Sequence, residues 1–155
     1  MGIRKARVDD VKGIRRLLDQ LEYPDSASFL EAKLEKMLKD PAELLLVWEE
    51  GERLGSGFPA GGSEGRILGV LSLHFIPQLA VEGDFARISY FAVDESARSG
   101  GIGRAMEEYA TGIARERGCH LIEVHCHGRR ARAHAFYGRQ GYQESPKYLI
   151  KRLLY

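Results

Sequence analysis

Between residues 88 and 109 an apolar strand, a turn and a helical stripe follow one another with no spare residue. That run restricts the fold more than anything else in the chain. Ile88, Tyr90, Phe91, Ala92 and Val93 read as the end of a strand. The turn Arg98-Ser99-Gly100-Gly101-Ile102-Gly103 then places three glycines inside four residues, and an amphipathic helix is expected over 101–117. Glycine lets the backbone take positive φ and lets a ligand approach the N–H groups with no Cβ in the way. At a helix start the first four N–H groups have no intrahelical partner, and the macrodipole favours negative charge. A phosphate or diphosphate is the natural occupant of such a turn.

Two common phosphate-binding turns do not fit. The P-loop needs Gly-Lys-Ser/Thr after four spacers, and no such lysine is here. The dinucleotide fingerprint needs a third glycine where Arg104-Ala105-Met106 stands, and it opens a βαβ unit rather than lying two-thirds along a chain. What remains is Arg-x-x-Gly-x-Gly after a strand ending in Val93-Asp94. In this the chain resembles the GNAT superfamily of acetyl-CoA-dependent N-acetyltransferases, whose pyrophosphate-binding motif has that form.

A second run carries the same resemblance. His120–His127 alternates as a strand does, and Ala133, Phe136, Tyr137 and Gln140 follow at helical spacing up to a Gly141 stop. Ala133-His134-Ala135-Phe136-Tyr137, then Gly141-Tyr142, is similar to the second GNAT motif, Ala-x-x-Phe/Leu-Tyr-x-x-x-Gly-Phe/Tyr. The resemblance extends over about residues 3–154 and is diagnostic between 88 and 142.

Length and charge agree with one enzyme domain over 1–155. The chain has 155 residues, 44% hydrophobic and 29% charged, which is an ordinary globular composition long enough for a full core. A net charge of +1 supplies no general field for nucleic acid or an anionic membrane, so neither is an expected partner. Cys119 and Cys126 lack metal-ligand spacing, and no metal is expected. With no signal peptide and no apolar run of about 18 residues, the expected location is cytoplasmic.

Periodicity sets the remaining elements. Ile3–Val8 is a short strand ending at Asp9-Asp10, a helix-cap signal. Val11, Ile14, Leu17, Leu18 and Leu21 form a helical stripe stopped by Tyr23-Pro24. A second helix carries Phe29, Leu30, Leu34, Met37 and Leu38, and a strand over Glu43–Glu49 is apolar enough to be buried on both faces. Residues 50–65 form a long hairpin connection, 66–75 and 85–93 complete an antiparallel meander, and a last strand lies near 147–153. Strands 85–93 and 120–127 straddle a helix and so run parallel. The expected class is α+β, a central, mostly antiparallel sheet with one parallel splayed pair and about four helices, the GNAT fold.

Acetyl transfer from a thioester to an amine needs four things: register between donor and amine, stabilisation of the oxyanion, a proton acceptor for the amine, and an acid for the departing sulfur. The resemblance assigns the diphosphate of acetyl-CoA to the main chain of Arg98, Ser99, Gly100, Gly101, Ile102, Gly103 and Arg104. It assigns the pantetheine and acetyl carbonyl to backbone N–H groups at Phe91, Ala92 and Val93. The resemblance makes Tyr137, the Tyr of the Phe-Tyr pair, the expected general acid, and a phenol protonated at neutral pH can neutralise a thiolate. Arg130 stands where the family often has Asn, which would move a coenzyme contact from amide to guanidinium.

The family's strand-borne glutamate is absent, for that stretch reads Arg87-Ile88-Ser89-Tyr90. The base is therefore open among His74, Glu123, His125, His127 and water. His134 is expected to pack or cap. Tyr23, Phe29, Arg87 and Tyr90 are expected to line an acceptor cleft. They do not separate a small-molecule primary amine or amino-acid derivative from a peptide amine. A non-catalytic acyl-CoA-binding module and a nucleotide-phosphate binder are the competing readings. A homodimer is implied by the resemblance only.

Overall fold

A computed structural model describes residues 2–51, 65–145 and 148–154, so most of the 50–65 connection lies outside the described residues. The chain divides into two compact units, Met1–His125 and Cys126–Tyr155.

In the first unit five strands form one sheet in the order β1 (Gly2–Lys5), β2 (Glu43–Glu49), β3 (Ile67–Ile76), β4 (Phe85–Val93) and β5 (Leu121–Val124). The first four pair antiparallel and β4 pairs β5 in parallel. Helices α1 (Val11–Gln20) and α2 (Leu30–Met37) lie between β1 and β2, and α3 (Ile102–Glu116) links β4 to β5. The mixed class, the parallel pair and the central sheet are as the sequence implies. β1 is shorter than expected because the Asp10 carboxylate accepts from the Arg7 amide at 2.7 Å, closing a one-turn 3-10 segment at Val8–Asp10.

Strand alternation divides the core into two layers. Leu45, Val47, Val70 and Ala92 point to one face, where they cluster with Ile14 and Leu17 of α1 and Leu30 and Leu34 of α2. Leu46, Leu71 and Leu73 alternate with them and point to the other, with Ile88 opposite Leu73 in register. All four are at most 2% exposed, as are Met106 and Ala110 of α3. A stretch this apolar, buried from both sides, accounts for the unbroken Leu44–Trp48 run.

Gly69 brings α3 against its face of the sheet. A Cβ there would stand 2.6 Å from Met106 Sδ, 3.2 Å from Trp48 Cβ and 3.4 Å from Ile102 Cγ2. The first turn of α3 thus rests where β3 has no side chain, one residue across the ladder from the end of β4.

The second unit contains α4 (Ala131–Arg139), which ends as the sequence predicts: Tyr142 N–H donates to Tyr137 O at 3.0 Å and Gly141 has φ +92°. The last strand near 147–153 requires correction. Residues 148–154 join no ladder, and Tyr148, Leu149, Ile150, Leu153 and Leu154 are exposed. Apolar residues become a strand only with a partner to take their N–H and C=O groups. Residue 147 itself lies outside the described residues.

Candidate active site

The end of β4 and the start of α3 form one continuous feature of the first unit. Asp94, 2% exposed, is its fixed point. Its Oδ1 accepts from Ser96 N–H at 2.9 Å and from Ser96 Oγ at 2.6 Å, and its Oδ2 receives the Arg16 guanidinium of α1, with Arg66 at 3.5 Å. Arg16 also donates to Ile67 O at 2.6 Å. One buried carboxylate therefore anchors a helix, a strand start and the entry to the glycine turn, and charge-assisted bonds of this kind are the strong ones. Sequence reading noted Asp94 only as a strand terminus and missed Arg16, whose partner is 78 residues away.

Past Asp94 a 3-10 turn (Glu95–Ala97) leads into Arg98–Gly101, all exposed. Ser99 has φ +66° and Gly101 φ +85°, whereas Gly100 between them has no positive φ. A turn with two left-handed residues can draw successive N–H groups toward one concave side, as anion nests do. A Cβ on Gly101 would meet nothing within 4 Å, so that glycine is required by its φ and not by crowding. It is also the N-cap of α3, which has no side-chain cap. The helix-start N–H groups thus look outward with the positive end of the dipole behind them. This all-main-chain donor set fits a diphosphate.

Arg98 folds back along the surface instead. Its Nε donates to Val93 O at 3.2 Å and ties the turn back to the strand end. Arg104 pairs along the helix with Glu108 at 2.7 Å, so its side chain is occupied on the surface while its main chain belongs to the first turn.

The strand beside the turn is open along part of its length. β5 pairs only with Phe85–Ile88 of β4, and the remainder of β4 runs on past it. A bulge also falls here, since Ser72 faces Tyr90 while Leu73 faces Ile88, leaving Ser89 as the extra residue. A bulge resets side-chain parity and sharpens local twist. Asp94 N–H donates to Leu68 O at 2.8 Å, and N–H and C=O of one residue share a side of a strand. Ala92 therefore directs its main chain to β3, while Phe91 and Val93 direct theirs to the β5 side. The sequence expectation treated the three alike; register separates them.

Across the sheet face that carries Val70 and Ala92, one residue per strand makes a row in register: Glu43, His74, Arg87 and Glu123. His74 Nδ1 lies against Glu43 Oε2, and Arg87 holds Glu123 Oε1 through Nε at 2.7 Å and a terminal nitrogen at 2.6 Å. His74 Nε2 is 3.4 Å from Ser72 Oγ. Tyr90 points to the same face, its ring edge-on to Tyr23 at 5.3 Å. Burial first, and Tyr23 second, raise the Tyr90 phenol above its ordinary pKa. Arg87, Tyr23 and Tyr90, expected as cleft liners, thus belong to this face or touch it, whereas Phe29 stacks under Lys33 at 5.1 Å.

In the second unit, Tyr137 is half-buried on α4, its ring 5.2 Å from Phe136 and 5.3 Å from Tyr142. Arg130, exposed, is the N-cap of that helix. His134 Nε2 bonds His127 O at 2.9 Å, tying the helix to the segment before it rather than capping it, since α4 has no side-chain cap.

Among the described residues no cluster of metal-binding side chains occurs and no helix is long and apolar enough to cross a membrane. Comparison with solved structures finds the same fold repeatedly. A structure titled transcriptional regulator from Bacillus halodurans C-125 is 26% identical, covers 97% of this chain and 98% of its own, and superposes with a TM-score of 0.81. Glucosamine-6-phosphate N-acetyltransferase from Arabidopsis thaliana is 20% identical over 97% of each chain, with a TM-score of 0.79. An aminoglycoside acetyltransferase from an uncultured soil metagenomic sample is 21% identical over 98% of this chain and 95% of its own, at 0.73. No curated protein sequence matches. The profile of the Acetyltransferase (GNAT) family matches residues 12–142, running through both units and spanning both glycine-bearing motifs. This chain therefore belongs to the GNAT acetyltransferase family and is an acyltransferase.

Proposed function

We propose that this enzyme transfers the acetyl group of acetyl-CoA directly to a primary amine of a small molecule or amino-acid derivative, acting as one domain over 1–155. The observation that carries the reading is the main-chain nest at 98–104, set at the start of α3 beside the part of β4 that extends past β5. Bound there, acetyl-CoA supplies an activated acyl carbon and a leaving thiol. The chain's own residues do the rest. Main-chain donors of Ser99 to Arg104 hold the diphosphate, and Arg98 keeps the turn docked on β4. Val93 and Phe91, with main chains directed to the β5 side, are the groups that orient the acyl arm; Ala92, committed to β3, holds the strand in place. Tyr137 as the acid for sulfur and Arg130 as a coenzyme contact rest on the family resemblance alone.

An aminoglycoside acetyltransferase and a hexosamine-phosphate acetyltransferase share the fold, which supports a small-molecule amine as acceptor over a peptide. Thermal shift with acetyl-CoA, CoA and ATP is the first test, since a ligand at 100 times its Kd stabilises by about 2.7 kcal/mol. Acetyl-CoA and CoA are expected to raise Tm and ATP is not. Thiol release is then followed with glucosamine 6-phosphate, kanamycin, spermidine and a lysine peptide. Stabilisation by ATP alone, or no thiol release with any amine, overturns the reading.

A further inference from the structure

The sheet face beside the splay contains a proton acceptor that no family motif carries. We infer that His74, oriented by Glu43, takes the proton of the acceptor amine; this rests on the acetyltransferase reading proposed above. The Glu43 carboxylate can only accept, so the imidazole that faces it presents Nδ1–H and keeps its lone pair on Nε2. The buried Ser72 hydroxyl stands 3.4 Å from that nitrogen, a long contact that an incoming amine can replace. Carboxylate, imidazole and hydroxyl thus lie in line across β2 and β3. The line ends opposite Tyr90, at the bulge where β4 leaves β5.

Two of the other candidate bases, Glu123 and His127, are engaged. Both donating nitrogens of Arg87 fall on Glu123 Oε1, which holds that carboxylate as an ion-pair partner. His127 accepts from the Arg129 amide through its own Nδ1 at 3.2 Å. His74 sets Nδ1, the nitrogen that should not react, against Glu43 and is 23% exposed at the side chain, enough to return its proton to solvent. The charged groups facing it are Glu43 on β2 and Arg87 on β4, with Glu123 on β5 beyond Arg87.

The step balances without another reactant. The amine nitrogen forms a C–N bond to the acyl carbon, the C–S bond breaks, and one N–H proton passes to His74 Nε2 and on to water. The sulfur leaves with the electron pair of the broken bond and is protonated to the thiol.

The test compares wild type with His74→Ala and Glu43→Gln by thiol release with the four amines above, from pH 6.5 to 9.5. His74→Ala is expected to lower kcat/KM for the amine roughly 10²-fold near neutrality with KM for acetyl-CoA unchanged. The deficit is expected to close as pH rises, because free amines then arrive deprotonated. Added imidazole is expected to restore part of the rate. Glu43→Gln keeps the ring but loses the carboxylate that sets its tautomer, and roughly tenfold is expected to be lost. Should His74→Ala melt without cooperativity, Glu43→Gln with its pH profile decides. A variant rate within about twofold of wild type at every pH, or a deficit independent of pH and of imidazole, overturns the inference and leaves the acetyltransferase reading intact. No acetyl-CoA stabilisation and no thiol release by wild type overturns both.

Discussion

The glycine turn and the Glu43–His74–Arg87–Glu123 row are both parts of the first unit, and they are built on opposite principles. On the proposed reading the main chain does the binding in the turn, and side chains matter through the φ they permit. In the row the main chain is committed to ladders, and the inferred chemistry resides in side chains brought together from four strands. A main-chain site tolerates changes of residue type and fails when the backbone is displaced. A side-chain site fails by single atoms while the fold stands. The two therefore predict opposite patterns of damage, and the patterns can be measured.

The largest effect is expected where the turn is anchored. Asp94→Ala takes away the carboxylate that Ser96 and Arg16 share, leaving Arg16 only Ile67 O, and breaking a buried charge pair costs several kcal/mol. Arg16 is 36% exposed at the side chain, which tempers the loss to about 2–4 kcal/mol. For a domain of this size that is roughly 5–15 °C in Tm. Acetyl-CoA stabilisation is expected to vanish with it. A variant that melts like wild type and still responds to the coenzyme would show that Asp94 does not hold the turn.

Gly101→Ala isolates the backbone from the anchor. The new Cβ meets nothing within 4 Å, so any cost comes from φ +85°, about 1–2 kcal/mol for an L-residue. Loss of a single bond to a charged phosphate corresponds to about 10- to 100-fold in affinity. Isothermal titration with CoA is expected to show a weakened Kd and a modest Tm change. Equal binding by variant and wild type breaks the claim that φ governs this site.

These regions also differ in how much of them the sequence displayed. The turn was legible because its donors are contiguous: Arg98 to Arg104 carry their own φ requirements and their own helix start. The row was not, because its members lie at positions 43, 74, 87 and 123, and only register joins them. The bulge at Ser89 hides them further, since it reverses alternation midway along β4 and places Tyr90, not Phe91, on the face of His74. Gly69 left a faint trace, a glycine inside Leu68-Gly69-Val70 where a strand interior prefers a side chain. The absent final strand shows the converse. Leu149 and Leu153 have a strand's composition, yet pairing depends on what lies alongside, and that is not written locally.

A smaller effect follows from acid. Burial alone would raise the Asp10 carboxyl, but bonds from Arg4 and the Arg7 amide outweigh it, so its pKa falls below the ordinary value. Glu49 is lowered as well, by its bond from Arg4. Groups depressed in the fold stabilise it above their unfolded pKa, about 4, and that contribution is lost as pH drops through the folded value. Melting followed from pH 6 to pH 3 is expected to fall more steeply for wild type than for Asp10→Asn. Parallel curves would show that the Arg4 pair adds nothing that depends on pH.

The smallest effect is the most discriminating for a main-chain site. Arg104 occupies the first turn of α3, where a cation near a bound diphosphate invites the reading that its guanidinium does the work. Its side chain is 72% exposed and engaged by Glu108 four residues on, while its amide belongs to the helix start. Arg104→Ala keeps that amide and is a good helix former. Tm is expected to remain unchanged and Kd for CoA to shift by less than about twofold, since exposed pairs of this spacing contribute little. Glutamate at the same position is expected to weaken CoA at low salt and recover at high salt, because only a screened long-range charge has been added. A tenfold loss in Arg104→Ala would transfer the binding from backbone to side chain, and the contrast between turn and row would not survive it.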